Sequence, residues 1–169
     1  MKLEKDTYMM RAPSLAPHLL GKVLCRRIGN EVIRARICET ECYFGEDDTA
    51  CHAHRGKTER TKTLYEEGGI AYVYLCYGIH SLLNVVSGEG DFPEAVLIRA
   101  VEGAIGPGRV TKRMKIDRAL NGTSFVDSDE LWIEDDGYAV GEIRTDRRVG
   151  IDYAAVCDRE RRWRFILDL

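Results

Sequence analysis

No stretch of this 169-residue chain is apolar for the length of a membrane span. The first residues, Met1-Lys2-Leu3-Glu4-Lys5-Asp6, carry charge where a secretion signal is apolar. These absences argue against a spanning helix or an export signal and set the expected location as cytoplasmic. The six cysteines lack CxxC spacing and read as small core residues or reduced thiols, not as a disulfide framework. Repeats, low-complexity tracts and linkers are also missing, so one domain over residues 1–169 is expected. A surplus of positive charge is absent too: 25 Lys and Arg against 28 Asp and Glu give a net charge of −3. That balance argues weakly against nonspecific attraction to nucleic acid as a property of the whole molecule.

Charge is nevertheless unevenly placed. The segments His52–Lys62 and Arg109–Lys115 are basic, as is the set Arg144, Arg147, Arg148, Arg161, Arg162 and Arg164, whereas acids gather at 127–130 and 134–136. One positive and one negative face would suit a nucleic-acid enzyme, although each run alone also fits a solvated loop.

The sequence alternates in a way that predicts strands. A short helix over 14–21, with Ser14 as N-cap and Gly21 as stop, precedes strands over 22–28 and 31–37 joined at Gly29-Asn30. Residues 70–86 read as two strands folded over an exposed tip at Tyr77-Gly78; a single bulged strand with Tyr77 in the core is the alternative. A buried strand follows at 95–101, whose Arg99 needs a carboxylate partner. Gly106-Pro107-Gly108 opens a helix, and 131–133, 138–140 and 163–167 complete the strands. The fold class is α+β: a mainly antiparallel curved sheet, a protruding β-hairpin and a few flanking helices.

From Ile33 the alternation runs Ile33, Ala35, Ile37, Glu39, Glu41, Tyr43, with Arg34, Arg36, Cys38, Thr40 and Cys42 opposite. A carboxylate on a core-facing line has partners or serves as an acid or base. On residues 33–43 alone, a strand ending near Cys38 with both glutamates solvated is the better reading.

Taken together, several motifs change that balance. They are Leu19-Leu20-Gly21-Lys22-Val23-Leu24, Glu39-Thr40-Glu41-Cys42-Tyr43-Phe44-Gly45, Asp47-Asp48, Ala50-Cys51-His52, Tyr72-Val73-Tyr74 with Tyr77-Gly78, Asn84, Leu97-Ile98-Arg99-Ala100, Gly106-Pro107, and Arg148-Val149-Gly150-Ile151. In this order they resemble the alkyladenine (3-methyladenine) DNA glycosylase family over nearly the whole chain. The resemblance implies a monofunctional enzyme without cofactor or metal, acting on double-stranded DNA that contains damaged purines. It implies a monomer with no obligate protein partner and no membrane association. Glu41 would be the general base, with Arg99 and the main chain at Val149 orienting it and its water. Tyr43, His52, Tyr74 and Asn84 would form the base pocket. Tyr77, with Ile79, would intercalate, and Arg60, Arg109 and Lys112 would contact the DNA backbone. The segment Thr58-Glu59-Arg60-Thr61 departs from the Thr-Pro-Arg-Asn of many relatives by adding an acid.

Two rival readings use other residues. Cys38, Cys42, Cys51, His52 and His54 are close enough in sequence to suggest a zinc-dependent hydrolase, although not with finger spacing. A noncatalytic nucleic-acid-binding module would keep the basic surface and the wedge, but gives Glu41 no purpose.

Overall fold

The computed structural model describes residues 1–169. Helices α1 (Lys5–Tyr8) and α2 (Ala12–His18) open the chain, followed by strands β1 (Val23–Ile28) and β2 (Glu31–Phe44). Two 3-10 turns, His52–Arg55 and Lys62–Tyr65, lead to the hairpin of β3 (Ala71–Cys76) and β4 (His80–Val86). Next come β5 (Glu94–Val101), the short β6 (Ala104–Ile105) and α3 (Pro107–Met114). Strands β7 (Leu131–Glu134) and β8 (Ile143–Asp146), helix α4 (Val156–Glu160) and strand β9 (Arg164–Leu167) finish it. Every strand pair is antiparallel, and the sheet is strongly curled, in the order β3-β4-β5-β2-β1-β7 with β9 and β8 also joined through β2. This is the expected α+β class. No helix is long and apolar enough to cross a membrane.

Strand β2 organises the sheet because it is long. Residues 31–36 pair with β1, residues 37–44 pair with β5, and residues 39–41 pair with β9 on the edge opposite β5. It therefore does not stop at Cys38. The main core lies between this sheet and helices α2 and α3, where Leu15, Leu19, Ile37, Ile98, Val110 and Met114 are buried together. Each burial of such a side chain contributes about 1.5–3 kcal/mol.

Turn chemistry explains both hairpins. Gly29 has φ +58° and Asn30 does not share the left-handed region, which is the turn with glycine at its first central position, so the Gly-Asn order serves. At the other tip both Tyr77 (φ 52°) and Gly78 (φ 67°) are left-handed, and the Cys76 carbonyl accepts from the Ile79 amide at 3.1 Å. The hairpin reading of 70–86 holds.

Two expectations fail locally. Helix α2 starts at Ala12, two residues before the predicted start, and Ser14 caps nothing. The cap comes from a distant acid: Glu94, buried, accepts from the Ala12 amide at 2.6 Å and pairs with Arg11 at 2.8 Å. A carboxylate beside the first amides of a helix does the work of a local cap. Residues 138–140 form no strand either. Tyr138 and Val140 instead cover the bare backbone of Gly21, and Tyr138 stacks under the Arg36 guanidinium at 4.2 Å. The strand lies later, at β8.

These contacts predict a contrast between two acid-end positions of α2. Glu94→Ala should cost about 2 kcal/mol or more in urea unfolding, because a charged hydrogen-bond acceptor is lost in a buried place. Ser14→Ala should cost less than about 0.5 kcal/mol. Equal costs would show that the helix is capped from within.

Candidate active site

The site begins with two facing irregularities. Along the β2–β5 ladder, Ile37 pairs with Val101, Glu39 with Ala100 and Thr40 with Ile98, so Cys38 is extra on one strand and Arg99 on the other. Such bulges let two adjacent residues share a side. Before the bulge, Ala35 and Ile37 enter the main core; after it, Cys42 does, Phe44 packs against it, and Thr40 bonds the Ala16 carbonyl of α2 at 2.8 Å. Glu39, Glu41 and Tyr43 therefore do not continue the line of Ile33, Ala35 and Ile37, as the alternation suggests, but take the opposite face. Arg99 and Leu97 on β5 share that face, leaving Val96 and Ile98 to the core.

Glu41 is fully buried. Its Oε1 accepts from the Val149 amide at 2.8 Å and lies 3.4 Å from Arg99 Nη1, and its Oε2 accepts from the Tyr43 hydroxyl at 2.8 Å. Burial pushes its pKa above the ordinary carboxylate range, while Arg99, the Val149 amide and Tyr43 pull it back. All three partners line a cavity of about 330 Å³. The carboxylate thus sits one side chain behind the wall of a pocket.

The remaining walls are aromatic. His52 and Tyr74 pack with ring centroids 4.3 Å apart at 65°, and Tyr72 lies 5.4 Å from Tyr74. His52 Nδ1 is 3.1 Å from the Tyr72 hydroxyl. Burial, with help from Arg60, lowers the His52 pKa to about 4, so the ring is neutral at ordinary pH. Asn84, buried on β4, donates to the Tyr72 carbonyl at 3.3 Å. The four residues expected in the base pocket all line this one cavity.

Sequence reasoning gave no role to Arg148 or Asp48, which decide where Val149 stands. Arg148 Nη1 and Nη2 bond the two Asp48 oxygens at 2.6 and 2.9 Å, and also the carbonyls of Cys42 (3.0 Å) and Asp158 (3.2 Å). Both side chains are buried, with the guanidinium 4.9 Å from the Tyr43 ring and 5.1 Å from the Trp163 ring. Asp48 also receives the Phe44 and Ala50 amides, each at 3.1 Å. Nothing in the spacing of Asp48 and Arg148, 100 residues apart, announces this pair. Tyr72, paired with His52, and Tyr153, whose hydroxyl donates to the Ala50 carbonyl at 2.8 Å, were also missed. The alternation of Tyr72 with Tyr74 was a signal for the first.

Tyr77 stands 91% exposed at the tip of the β3–β4 hairpin, at the pocket mouth, and Ile79 beside it is 74% exposed. Arg60 lies over Tyr74 at 5.6 Å. Arg109 and Lys112 project from α3 along a shallow cleft with His80 and Ile105, apart from the cavity. In the departing loop, Thr58 and Thr61 bond each other's amides at 2.9 and 3.2 Å, and Glu59 pairs with Lys62 at 2.8 Å. All six cysteines are free thiols, Cys42 in the core and Cys51 in the pocket wall, and no three His, Cys, Asp or Glu side chains converge as metal ligands.

Comparison with known proteins gives the family of the chain. The sequence matches the family described as methylpurine-DNA glycosylase (MPG) over residues 6–105 and 102–168. The chain belongs to this family. Among its relatives, a "Putative 3-methyladenine DNA glycosylase" of Psychrobacter cryohalolentis is 44% identical over 83% of this chain and 80% of its own length. Proteins of the same name from Methanocella arvoryzae and Borrelia garinii subsp. bavariensis are 42% and 37% identical, covering 96% and 98% of this chain and 90% and 95% of their own. As a methylpurine-DNA glycosylase, the protein is a DNA-repair hydrolase of N-glycosyl bonds with DNA as its substrate.

The buried pair yields a test within this glycosylase. Asp48→Asn leaves the Arg148 charge uncompensated in the interior and should cost about 3–5 kcal/mol. Urea unfolding with an unchanged m-value measures it, and a loss under about 1 kcal/mol would contradict the role given to the pair.

Proposed function

We propose that this glycosylase takes an alkylated or deaminated purine out of the duplex into the pocket and cleaves its glycosidic bond in one displacement by water, with Glu41 as general base. The observation that carries this reading is the environment of Glu41: fully buried, both oxygens hydrogen-bonded, and every partner a wall of the aromatic cavity. A binding module gains nothing from a buried carboxylate near phosphates. The base extracts a proton from water as the sugar C1′ develops oxocarbenium character, and the purine leaves with the bond electrons. No lysine lines the pocket, so there is no amine for a Schiff base, which supports release without strand cleavage.

Recognition follows from the walls. Tyr43, Tyr74 and a neutral His52 offer ring faces to a flipped base, and a cationic alkylated purine gains from them about 0.5–2 kcal/mol per well-placed contact. In this reading Asn84, buried in the pocket wall, excludes the exocyclic amino group of guanine. Tyr77 fills the space left in the stack, Ile79 supports it, and Arg60, Arg109 and Lys112 hold phosphates. The left-handed Tyr77 costs about 1–2 kcal/mol at an exposed tip, a cost that insertion offsets.

Glu41→Gln should bind a lesion-bearing duplex normally and release base at least about a hundredfold more slowly in single turnover. Retained release refutes the base. Because Glu41 acts ionised, the rate should fall as pH drops through its pKa, and the raised pKa places this acid limb above the usual carboxylate value of about 4.3. Arg99→Gln removes a charge that favours the ionised form, so its limb should move to higher pH; a limb that moved lower would contradict the pairing.

Tyr77→Ala should weaken binding to a lesion-bearing duplex by about tenfold while changing undamaged-duplex binding little. Equal losses in a titration of the two duplexes would argue against insertion.

A further inference from the structure

We infer that Glu39 is a positioning residue for base release, the hub of a circuit of hydrogen bonds, one ion pair and a short run of main chain that holds both Oε1 partners of Glu41 in place. The inference rests on Glu41 being the general base. It gives a purpose to the first glutamate of the Glu39-Thr40-Glu41 segment, which the proposed mechanism leaves unused.

The circuit can be followed atom by atom. Glu41 Oε1 takes the Val149 amide at 2.8 Å and faces Arg99 Nη1 at 3.4 Å. The other end of the same guanidinium, Arg99 Nε, donates to Glu39 Oε1 at 3.2 Å. Arg164 Nη1 donates to that same oxygen at 3.1 Å, and Arg164 Nε donates to the Arg147 carbonyl at 2.7 Å. Arg147 is two residues before Val149, whose amide returns to Glu41. Asp146 steadies Arg164 from outside, taking Nη2 at 3.0 Å. One carboxylate oxygen thus joins the side-chain partner of Glu41, Arg99, to its main-chain donor, although these lie on separate segments of the chain.

Burial makes the arrangement firm. The side chains of Glu39, Arg99 and Arg164 are only 13, 16 and 20% exposed, so neither arginine has a fully solvated alternative. A guanidinium is planar, and fixing its Nε end fixes the direction in which Nη1 points. The facing bulges set this up: they put Arg99 and Glu39 on one side of the sheet, with Glu41 on that side two residues further along. The β8–β9 ladder, in which Asp146 pairs with Arg164, brings the third member in register.

The sign of the effect separates positioning from simple charge. Besides Glu39 and Arg164, the groups facing Glu41 are Tyr43 on its own strand, Arg99 on β5, Tyr74 on β3, and Arg148 and Tyr153 from the segment after β8. Deleting a neighbouring negative charge lowers a carboxyl pKa; releasing Arg99 from its anchor raises it. Positioning therefore predicts that loss of Glu39 moves the acid limb of base release upward, against the direction that its charge alone dictates.

The experiment compares Glu39→Ala and Glu39→Gln with wild type in the full-length protein. Duplex DNA methylated with dimethyl sulfate is the probe, and single-turnover release of methylpurine is followed from pH 4 to 9. The expected result is a neutral-pH rate lowered by about tenfold, an unchanged Kd for the methylated duplex, and an acid limb about half a pH unit or more higher. Arg164→Gln, across the circuit, should shift the limb in the same direction, and Arg164→Lys should shift it less. If Glu39→Ala does not fold, Glu39→Gln, close to isosteric, decides. A limb that stays or moves down, or a loss confined to DNA binding, overturns the circuit. Glu41→Gln run beside these variants keeps the two readings apart. If it still releases base, the general-base assignment falls and the circuit with it; if it is inactive while the Glu39 variants match wild type, the circuit alone falls.

Discussion

The position of the site depends on one buried ion pair. Arg148 and Asp48 meet through two hydrogen bonds, and the same two guanidinium nitrogens also reach the carbonyls of Cys42 and Asp158. Glu41 immediately precedes Cys42, and Val149 immediately follows Arg148. The carboxylate and the amide that meet at 2.8 Å are therefore each one residue from a group held by the same guanidinium. Replacing such a pair with apolar residues can leave stability unchanged or improved. Its value here is positional: it joins β2, the turn after it and the C-terminal segment at a spacing that apolar packing alone does not impose.

The second constraint is the parity change in β2. A regular strand would send Glu39, Glu41 and Tyr43 to the face that buries Ala35 and Ile37, with no counter-charge there for either carboxylate. The paired bulges reverse the sides, so the apolar core keeps Cys42, Val96 and Ile98 while the pocket receives Tyr43, Leu97 and Arg99, with Glu41 behind them on the same side. A single strand pair thereby carries a core on one side and a charged site on the other.

This explains what was legible in the sequence and what was not. Local rules reached the strands, the Tyr77-Gly78 tip and the need of Arg99 for a carboxylate, because each depends on neighbours within a few residues. The gathering of Tyr43, His52, Tyr74, Asn84, Arg99 and Val149 around one cavity was legible only through the family resemblance. The bulge was not legible, since a period of two carries no mark where a residue is added. Nor was the start of α2, whose cap Glu94 is 82 residues away from Ala12, or the Asp48–Arg148 pair. Tyr138 and Val140 looked like a strand for the same reason: β-forming residues serve equally well to cover Gly21.

Electrostatics connect the circuit around Glu41 to the proposed preference for alkylated purines. Glu41, ionised in the proposed mechanism, lies behind the cavity wall, and its nearest cation, Arg99, is shared with Glu39. His52 adds no charge above a pH of about 4, and Arg60 lies at the mouth over Tyr74. The walls present ring faces beside the Arg99 guanidinium, whose charge is countered by Glu39 and Glu41, so in the proposed reading the choice of a positively charged base rests on the ring faces. Had His52 titrated near its ordinary value, the pocket would gain a repelling charge in mildly acid conditions. Its burial removes that charge, and burial also raises the pKa of Glu41; in the proposed reading the first serves the selection of substrate and the second the chemistry.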